Sequence, residues 1–212
     1  QSKGLAKSQI TILDALLKLR QVCCHPQLLP LDAARKVKTS AKLEQLMTLL
    51  PEMLAEGRRI LLFSQFTSML TLIEAELKNR GLSWVKLTGQ SQRRDAIIEQ
   101  FTSGRVPLFL ISLKAGGVGL NLPQADTVIH FDPWWNPGVE DQATDRAHRL
   151  GQTQSLWVIK LVAQGTIEEK ILALQERKAE LADSLYSGAA ARKEPLFTET
   201  DLAELLQPLS VS

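Results

Sequence analysis

The amino-acid sequence predicts an α/β domain of three layers, with a mostly parallel sheet between two layers of helices. Two observations support this prediction. Between residues 59 and 162, short runs of Ile, Leu, Val and Phe alternate with segments of helical period. The runs are almost continuously apolar, as in strands that are covered on both faces. A repeated strand–helix–strand order implies parallel strands joined by right-handed crossovers.

The bulk composition excludes several classes of protein. The chain has 212 residues, of which 44% are hydrophobic and 23% charged, enough apolar material for one sizeable core. No stretch approaches the ~20 apolar residues of a membrane span, so we expect no membrane partner. The net charge of +2 is too small to indicate a polyanionic partner by itself. Because the chain opens on Gln1 without a signal-like segment, we expect a fragment of a longer protein.

Within the α/β region, the apolar runs and the periodic segments define the expected elements. One helix is expected from Thr67, as its N-cap, to Gly81. A second is expected to open at Ser91 and to end before Gly104, and a third to cover about residues 137–151. The predicted strands are residues 60–63, 85–88, 108–112, 127–131 and 156–162.

Helical segments flank this region. Residues 10–22 carry an apolar stripe of Ile10, Leu13 and Leu17, and Ser40 is expected to cap a helix that Pro51 bends or ends. Thr166 and Glu169 form a capping box for a long helix, and a last short helix is expected near Thr200. The predicted organisation is a helical segment or protrusion over 1–40, the α/β lobe over 41–162, a bracing helix over 163–187, and a linker with a short helix over 188–212.

A glycine-rich loop follows the third predicted strand. Residues 112–121 read S-L-K-A-G-G-V-G-L-N, and the glycines allow the backbone to approach a phosphate closely. Lys114 can add a charge there, and Asn121 a hydrogen-bonding group. A tight turn explains the composition equally well. The spacing does not match the dinucleotide-binding fingerprint, which follows the first strand of its unit.

Paired arginines stand out in the segment 141–152, D-Q-A-T-D-R-A-H-R-L-G-Q. On a helix, Gln142, Arg146 and Arg149 share one face because they are spaced i, i+4, i+7. Two guanidinium groups on a rigid helix suit bidentate contact with phosphate oxygens. The alternative is a solvated face, on which Asp141 and Asp145 pair with the arginines.

Two adjacent tryptophans, Trp134 and Trp135, lie in the segment F-D-P-W-W-N-P after the fourth predicted strand. Packing under the loop is one explanation for either ring. An exposed ring would instead offer a stacking or wedging surface for nucleic acid.

In combination, these segments resemble the C-terminal helicase motifs of SWI/SNF-type ATPases, in the order and spacing of that family. The resemblance covers nearly the whole chain, and its compact spacing favours a bacterial source. It is carried by I-L-L-F-S-Q-F at 60–66, L-T-G at 87–89, the glycine-rich loop, F-D-P-W-W-N-P, D-Q-A-T-D-R-A-H-R-L-G-Q, G-T-I-E-E-K-I at 165–171 and L-R-Q-V-C-C-H-P at 19–26.

The resemblance implies a RecA-like second lobe of an ATP-dependent double-stranded-DNA translocase. Arg146 and Arg149 match the arginines that reach the phosphates of ATP bound to a first lobe, and Gln142 the glutamine beside them. Gly117 and Gly119 match nucleotide-contacting positions. The positions that match DNA contacts are Ser64, Gln65, Thr88, Gly89, Lys114, Asn121 and Trp135.

Partners and cofactors follow from the same resemblance. The 212 residues contain no G-x-x-x-x-G-K-[ST] loop and no D-E-x-H motif, so ATP and Mg²⁺ are expected on the N-terminal lobe of the parent chain, and this fragment alone is expected to be inactive. Double-stranded DNA is the expected ligand, and DNA-bound protein complexes are further candidate partners. The expected location is the nucleoid-associated cytoplasm of a bacterium, or the nucleus of a eukaryote.

Two other readings of the chain stay open. A lobe of this type could be a non-catalytic module that binds only DNA or a protein. A methyltransferase-like Rossmann domain would leave the paired arginines unexplained. No metal site is expected, because Cys23, Cys24 and His25 lack the C-x2-C spacing of zinc ligands and are interpreted as partly buried turn residues. His130 is interpreted as a core histidine.

Overall fold

The computed structural model describes residues 2–116, 120–134, 144, 155–186 and 199–208. The predicted helix over 137–151 lies outside these residues, apart from Thr144. The described helices are α1 (Ser2–Cys24), α2 (Asp32–Arg35), α3 (Ala41–Ala55), α4 (Thr67–Asn79), α5 (Arg94–Thr102), α6 (Leu113–Gly116), α7 (Ile167–Tyr186) and α8 (Glu199–Leu206), and a 3-10 turn covers Pro26–Leu28. The described strands are β1 (Ile60–Ser64), β2 (Val85–Leu87), β3 (Leu108–Ser112), β4 (Thr127–His130) and β5 (Trp157–Lys160).

The five described strands form one sheet in the order β2-β3-β1-β4-β5, and every neighbouring pair is parallel. Ile60 of the central strand is in register with Leu108 on one side and Thr127 on the other. All five strand predictions are confirmed to within a few residues at each end, and so is the α/β fold class.

Side chains of the central strand alternate between two cores, one on each face of the sheet. Ile60 and Leu62 pack in a cluster that includes Leu46 and Leu50 of α3 and Leu70 and Ile73 of α4. Leu61 and Phe63 pack on the opposite face, with Phe101 of α5. Every residue of β1 and β3 is buried. The three-layer arrangement follows from this burial, because a strand covered on both faces needs apolar side chains on both.

Helix α3 excludes one of the two outcomes expected at Pro51. Ser40 is the N-cap, as predicted, and its Oγ accepts a hydrogen bond from the Leu43 amide at 3.1 Å. The helix does not end at Pro51 but continues to Ala55. A proline at this position leaves the carbonyl four residues earlier, that of Met47, without its helical donor. The Arg80 guanidinium donates to that oxygen at 3.2 Å, which compensates for the lost bond.

Two predicted helix starts are also corrected. The N-cap of α4 is Phe66, without a side-chain capping bond, so Thr67 is the first residue of the helix. Ser91 does not open α5, because its Oγ accepts a bond from the Thr88 amide at 2.8 Å and closes a turn instead. Helix α5 begins at Arg94, after Arg93 adopts a left-handed backbone conformation with φ of 53°.

The flanking helices form a smaller third cluster. Leu16 of α1 packs there with Ile171 and Leu174 of α7 and Leu205 of α8. The predicted stripe of α1 is largely solvent-exposed, since Ile10 is 68% and Leu13 51% exposed. A different face of α1 packs against the protein. Its residues Leu16, Arg20 and Cys24, spaced i, i+4 and i+8, are buried.

The starts of α7 and α8 agree with the sequence. The Thr166 Oγ1 accepts a hydrogen bond from the Glu168 amide at 3.2 Å, so Thr166 caps α7. Glu169, the other predicted member of the capping box, is exposed, and Glu168 turns inward instead. A short helix does form at Glu199–Leu206. Among the residues described, no helix combines the length and apolar character that crossing a membrane requires.

Candidate functional site at the carboxyl edge of the sheet

The parallel sheet brings several predicted site residues to one edge. Ser64 ends β1, Thr88 and Gly89 follow β2, and Lys114 follows β3. Since β2, β3 and β1 are neighbours in that order, these residues lie at the adjoining ends of three strands. The carboxyl edge of a parallel sheet is where ligands bind in open α/β folds.

The ends of β2 and β3 form an open surface. Gly89 is exposed, and a Cβ added there would meet no atom within 4 Å. Lys114 is exposed, and within the described part of the chain it forms no hydrogen bond or ion pair. Arg94 donates to the Ala115 carbonyl at 3.3 Å, which ties α5 to the short helix that carries Lys114. This surface can therefore present a lysine charge and an unobstructed backbone to a ligand.

The end of β1 is buried. Ser64 is 0% exposed, and its Oγ donates to Asp132 Oδ1 at 2.5 Å while accepting from the Phe66 amide at 3.1 Å. The Gln65 amide donates to the other Asp132 oxygen at 3.2 Å. Burial raises the pKa of Asp132, although the Lys42 charge and the bonds from Ser64 and Gln65 oppose that shift. The Ser64 hydroxyl is therefore engaged within the protein.

The remaining predicted site residues lie only partly within the described residues. Asn121 is exposed, between the buried Leu120 and Leu122. Thr144 is the one described residue between 135 and 154, and its Oγ1 lies 3.2 Å from Nε2 of His130, at the end of β4. His130 is itself buried, as expected of a core histidine. The site predictions that lie outside the described residues are Gly117, Gly119, Trp135, Gln142, Arg146 and Arg149.

The sequence reasoning missed a buried ion pair beside Asp132. Lys42 Nζ lies 2.5 Å from Glu168 Oε1 and 2.6 Å from Oε2, and it donates to the Phe131 carbonyl at 2.8 Å. The Ala163 amide donates to Glu168 Oε1 at 2.9 Å. Burial raises the pKa of Glu168, and the Lys42 charge opposes that shift.

A buried arginine, Arg20, lies near the residues that follow β4. The Arg20 guanidinium sits 5.2 Å from the ring centre of Trp134 and 5.7 Å from that of Phe66, distances of cation–π contact. Burial lowers the pKa of Arg20 to about 10, so the side chain keeps its charge at neutral pH. Gln175 of α7 donates to the Trp134 carbonyl.

Helical spacing offered a signal for these buried polar residues. Lys42 precedes Leu46 and Leu50 by one and two turns, so it falls on the apolar stripe of α3. Arg20 lies between Leu16 and Cys24 in the same way. A charged residue within an apolar stripe predicts a buried partner.

The interpretation of Cys23, Cys24 and His25 as partly buried turn residues is corrected in part: both cysteines end α1, and Cys24 and His25 are fully buried. His25 Nδ1 accepts from the Gln27 amide at 3.1 Å, so the Nε2–H donates to the Lys38 carbonyl, 3.3 Å away. Burial lowers the pKa of His25, which favours this neutral form. In the part of the chain that the structure describes, no group of three potential ligands is placed to hold a metal ion.

Comparison with known proteins supplies the family. Residues 41–151, more than half of the chain, match the family model described as the helicase conserved C-terminal domain. A solved structure of the SWI2/SNF2 ATPase core of Sulfolobus solfataricus in complex with double-stranded DNA matches 85% of the chain at 38% identity, with a TM-score of 0.69. The chain is a helicase C-terminal domain of the SWI/SNF type. Its RecA-like fold and the family resemblance are thereby confirmed.

The curated relatives are much longer proteins. The putative ATP-dependent helicase/translocase YwqA of Bacillus subtilis is 38% identical over 206 residues, which cover 95% of this chain but 22% of that protein. An uncharacterized ATP-dependent helicase of Mycoplasma pneumoniae is 41% identical over 178 residues, or 82% of this chain and 17% of that protein. This helicase domain therefore spans about a fifth of the length of these relatives, and 38% of the Sulfolobus chain.

Proposed function

We propose that this helicase domain is the second lobe of an ATP-dependent double-stranded-DNA translocase, and that it completes an ATP site whose phosphate-binding half lies on a first lobe. The observation that carries the proposal is the open surface at the ends of β2 and β3, in a domain whose sequence also contains Arg146 and Arg149. The naming of the relatives as ATP-dependent helicases supports ATP use.

In this proposal Arg146 and Arg149 act as arginine fingers. Their guanidinium groups stay protonated and contact the phosphate oxygens of ATP when the two lobes close. Gln142, four residues before Arg146 in the sequence, would orient the same phosphates or the attacking water. The His130–Thr144 hydrogen bond supports this assignment, because Thr144 lies between Gln142 and Arg146 in sequence and is held at the carboxyl edge.

The ATP and Mg²⁺ are bound mainly by the first lobe. Within the 212 residues there is no phosphate-binding loop and no acidic D-E-x-H motif. Gly117 and Gly119 would let the backbone approach the nucleotide across the cleft. Catalysis would then arise from positioning and from charge neutralisation at the transferring phosphoryl group.

The DNA backbone would follow the open surface. Lys114 would neutralise a phosphate, Thr88 would lie beside the strand, and the backbone at Gly89 can approach the strand without obstruction. Gln65, Asn121 and Trp135 would border the same track. Ser64 would act through Gln65 and Asp132, since its own hydroxyl is buried. Each closure of the lobes would shift this domain along one strand.

A single comparison of proteins tests the function. We expect the full-length parent protein to hydrolyse ATP faster when double-stranded DNA is added, and a parent protein without this domain to lose that stimulation. The isolated 212-residue chain is expected to show no DNA-stimulated hydrolysis. Robust turnover by the isolated chain would overturn the half-site assignment, and DNA binding without any ATP hydrolysis by the parent would favour the non-catalytic module.

A further inference from the structure

Two helices from the start of the chain and one that begins at Ile167 meet at one loop. This loop, residues 131–134, follows β4 and is called the β4 loop below. Helix α1 reaches it through Arg20, which lies against the Trp134 ring. Helix α3 reaches it through Lys42, and α7 through Gln175, which donates to the Trp134 carbonyl. The β4 loop therefore receives contacts from both ends of the chain.

The tightest of these contacts is the ion pair of Lys42 and Glu168. The two side chains are 4% and 1% exposed. Lys42 contacts both carboxylate oxygens and the Phe131 carbonyl, and Glu168 also accepts from the Ala163 amide. Together these bonds join the first turn of α3, the start of α7 and the first residue of the β4 loop. The hydrogen bonds of both charged groups are directional, so they hold each side chain in one orientation.

Stability alone does not account for such a pair. Removing two charges from water is costly, and apolar residues of similar volume often stabilise a fold as well or better. What an apolar pair cannot reproduce is the set of directed bonds to Phe131 and Ala163. The buried charges are therefore suited to fixing a geometry.

The geometry that the pair fixes extends in two directions. Asp132, the second residue of the β4 loop, binds the Ser64 hydroxyl and the Gln65 amide at the end of β1. After Trp134, the chain continues into the segment that contains Gln142, Arg146 and Arg149. A displacement of the β4 loop would thus change both the end of β1 and the origin of the segment with the arginines.

We propose that Lys42 and Glu168 are positioning residues for ATP hydrolysis. They hold the β4 loop in a fixed position relative to α7, and so position the end of β1 and the chain that follows Trp134. The inference rests on the proposed function. Both side chains are buried, so we place them behind the ligand surface and not on it. Turnover then depends on how α7 packs against the lobe. Glu168 of α7 is 126 residues from Lys42 in the sequence.

The test separates positioning from stability in the full-length parent protein. The double variant Lys42→Met/Glu168→Leu replaces the pair by apolar groups and removes the directed bonds to Phe131 and Ala163. We expect its thermal midpoint to fall by no more than a few degrees, because two backbone groups lose a partner but no charge stays buried. Its KM for ATP and Kd for DNA should stay within about twofold, while kcat falls by roughly ten- to a hundredfold, as for small misplacements of catalytic groups. Glu168→Gln, which keeps the shape and one acceptor oxygen, should lose less turnover.

A matched control is the ion pair of Lys86 and Glu74, 2.5 Å apart and partly exposed at β2 and α4. Lys86→Met/Glu74→Leu should leave kcat unchanged. A normal kcat for Lys42→Met/Glu168→Leu would show that the positioning role is wrong. The same conclusion would follow if the decrease in kcat paralleled the decrease in thermal midpoint and Glu168→Gln lost as much kcat as the double variant. If the unaltered parent showed no DNA-stimulated hydrolysis, the proposed function itself would fail, which is a distinct result.

Discussion

The carboxyl edge of the sheet has two halves that differ in their surroundings. At the ends of β2 and β3, Gly89 and Lys114 are exposed and are free to meet a ligand. At the ends of β1 and β4, Ser64 and Asp132 are buried and are bonded to each other. The same edge of one sheet therefore has an open surface on one side and an internal polar network on the other. Polar residues at a strand end do not by themselves indicate a ligand.

The difference has a cause in the neighbouring helices. The buried half is covered by α1, α3 and α7, which contribute Arg20, Lys42 and Glu168. Because these groups are out of water, their charges must be paired or hydrogen-bonded within the protein. Among the residues that the structure describes, the open half carries the short helix α6 and the turn before α5, and its lysine is exposed.

The largest expected contrast between the halves is in stability. Lys42→Met leaves Glu168 buried without its counter-ion, and such a change costs about 3–5 kcal/mol in the free energy of unfolding. Lys114→Met, on the open half, should change it by less than about 0.5 kcal/mol. Urea unfolding of this domain measures both values. Similar effects for the two variants would show that the distinction between the halves is wrong.

A second contrast concerns DNA binding by the parent protein. Lys114→Ala should weaken binding and lower the slope of log K against log salt concentration by roughly 0.9, the value for one lost phosphate contact. Lys78→Ala is the matched control, since this exposed lysine lies in the last turn of α4. Binding isotherms at several salt concentrations give the slopes. An unaltered slope for Lys114→Ala would remove Lys114 from the DNA track.

The smallest expected contrast is chemical. Cys24 lies under the buried half of the edge, and burial raises its thiol pKa well above the usual value. The pKa of Cys23 is raised as well, but this residue is only partly buried. A raised thiol pKa lowers the fraction of reactive thiolate at any given pH. Iodoacetamide at pH 8 should therefore label Cys23 first and Cys24 much more slowly, whereas in urea both should react alike. Mass spectrometry of the peptides would reveal the order, and equal labelling of the folded chain would contradict the burial of Cys24.

The central strands were predictable because their burial shows in the local composition, whereas β5 is largely exposed although its sequence is mostly apolar. Runs such as residues 108–112 are apolar throughout, and both faces of β3 are covered. The helix starts at Thr67 and Ser91 were predicted less well, since a hydroxyl near a helix can bond to several backbone groups. At Ser91 the competing partner was the Thr88 amide. Pro51 was expected to bend or end α3, and it does not end it; the carbonyl that the proline leaves without a helical donor accepts from Arg80, a contact that the local sequence does not reveal.

The candidate site was predictable only in part. Its open half follows from motifs that lie directly after strands, as Gly89 and Lys114 do. Its buried half depends on contacts between residues far apart in the chain, such as the 126 residues that separate Lys42 from Glu168. No local pattern specifies such a pair. The position of Lys42 on an apolar stripe predicts a buried partner, but the identity of that partner, Glu168, comes from the fold.

The central claim is that this domain supplies arginine to a shared ATP site, and Arg149→Ala in the full-length parent tests it most directly. Folding, ATP binding and DNA binding should stay within several-fold of the unaltered protein, because the arginine acts mainly on the transferring phosphoryl group. DNA-stimulated turnover should fall by about 10³- to 10⁵-fold, the range for supplied arginines, and Arg149→Lys should restore little because an ammonium lacks the planar fork. Arg105→Ala, at an arginine that is 70% exposed and pairs only loosely with Glu99, is the matched control and should be silent. Near-normal turnover by Arg149→Ala would mean that the segment is a solvated face, and the account of the shared site would be wrong.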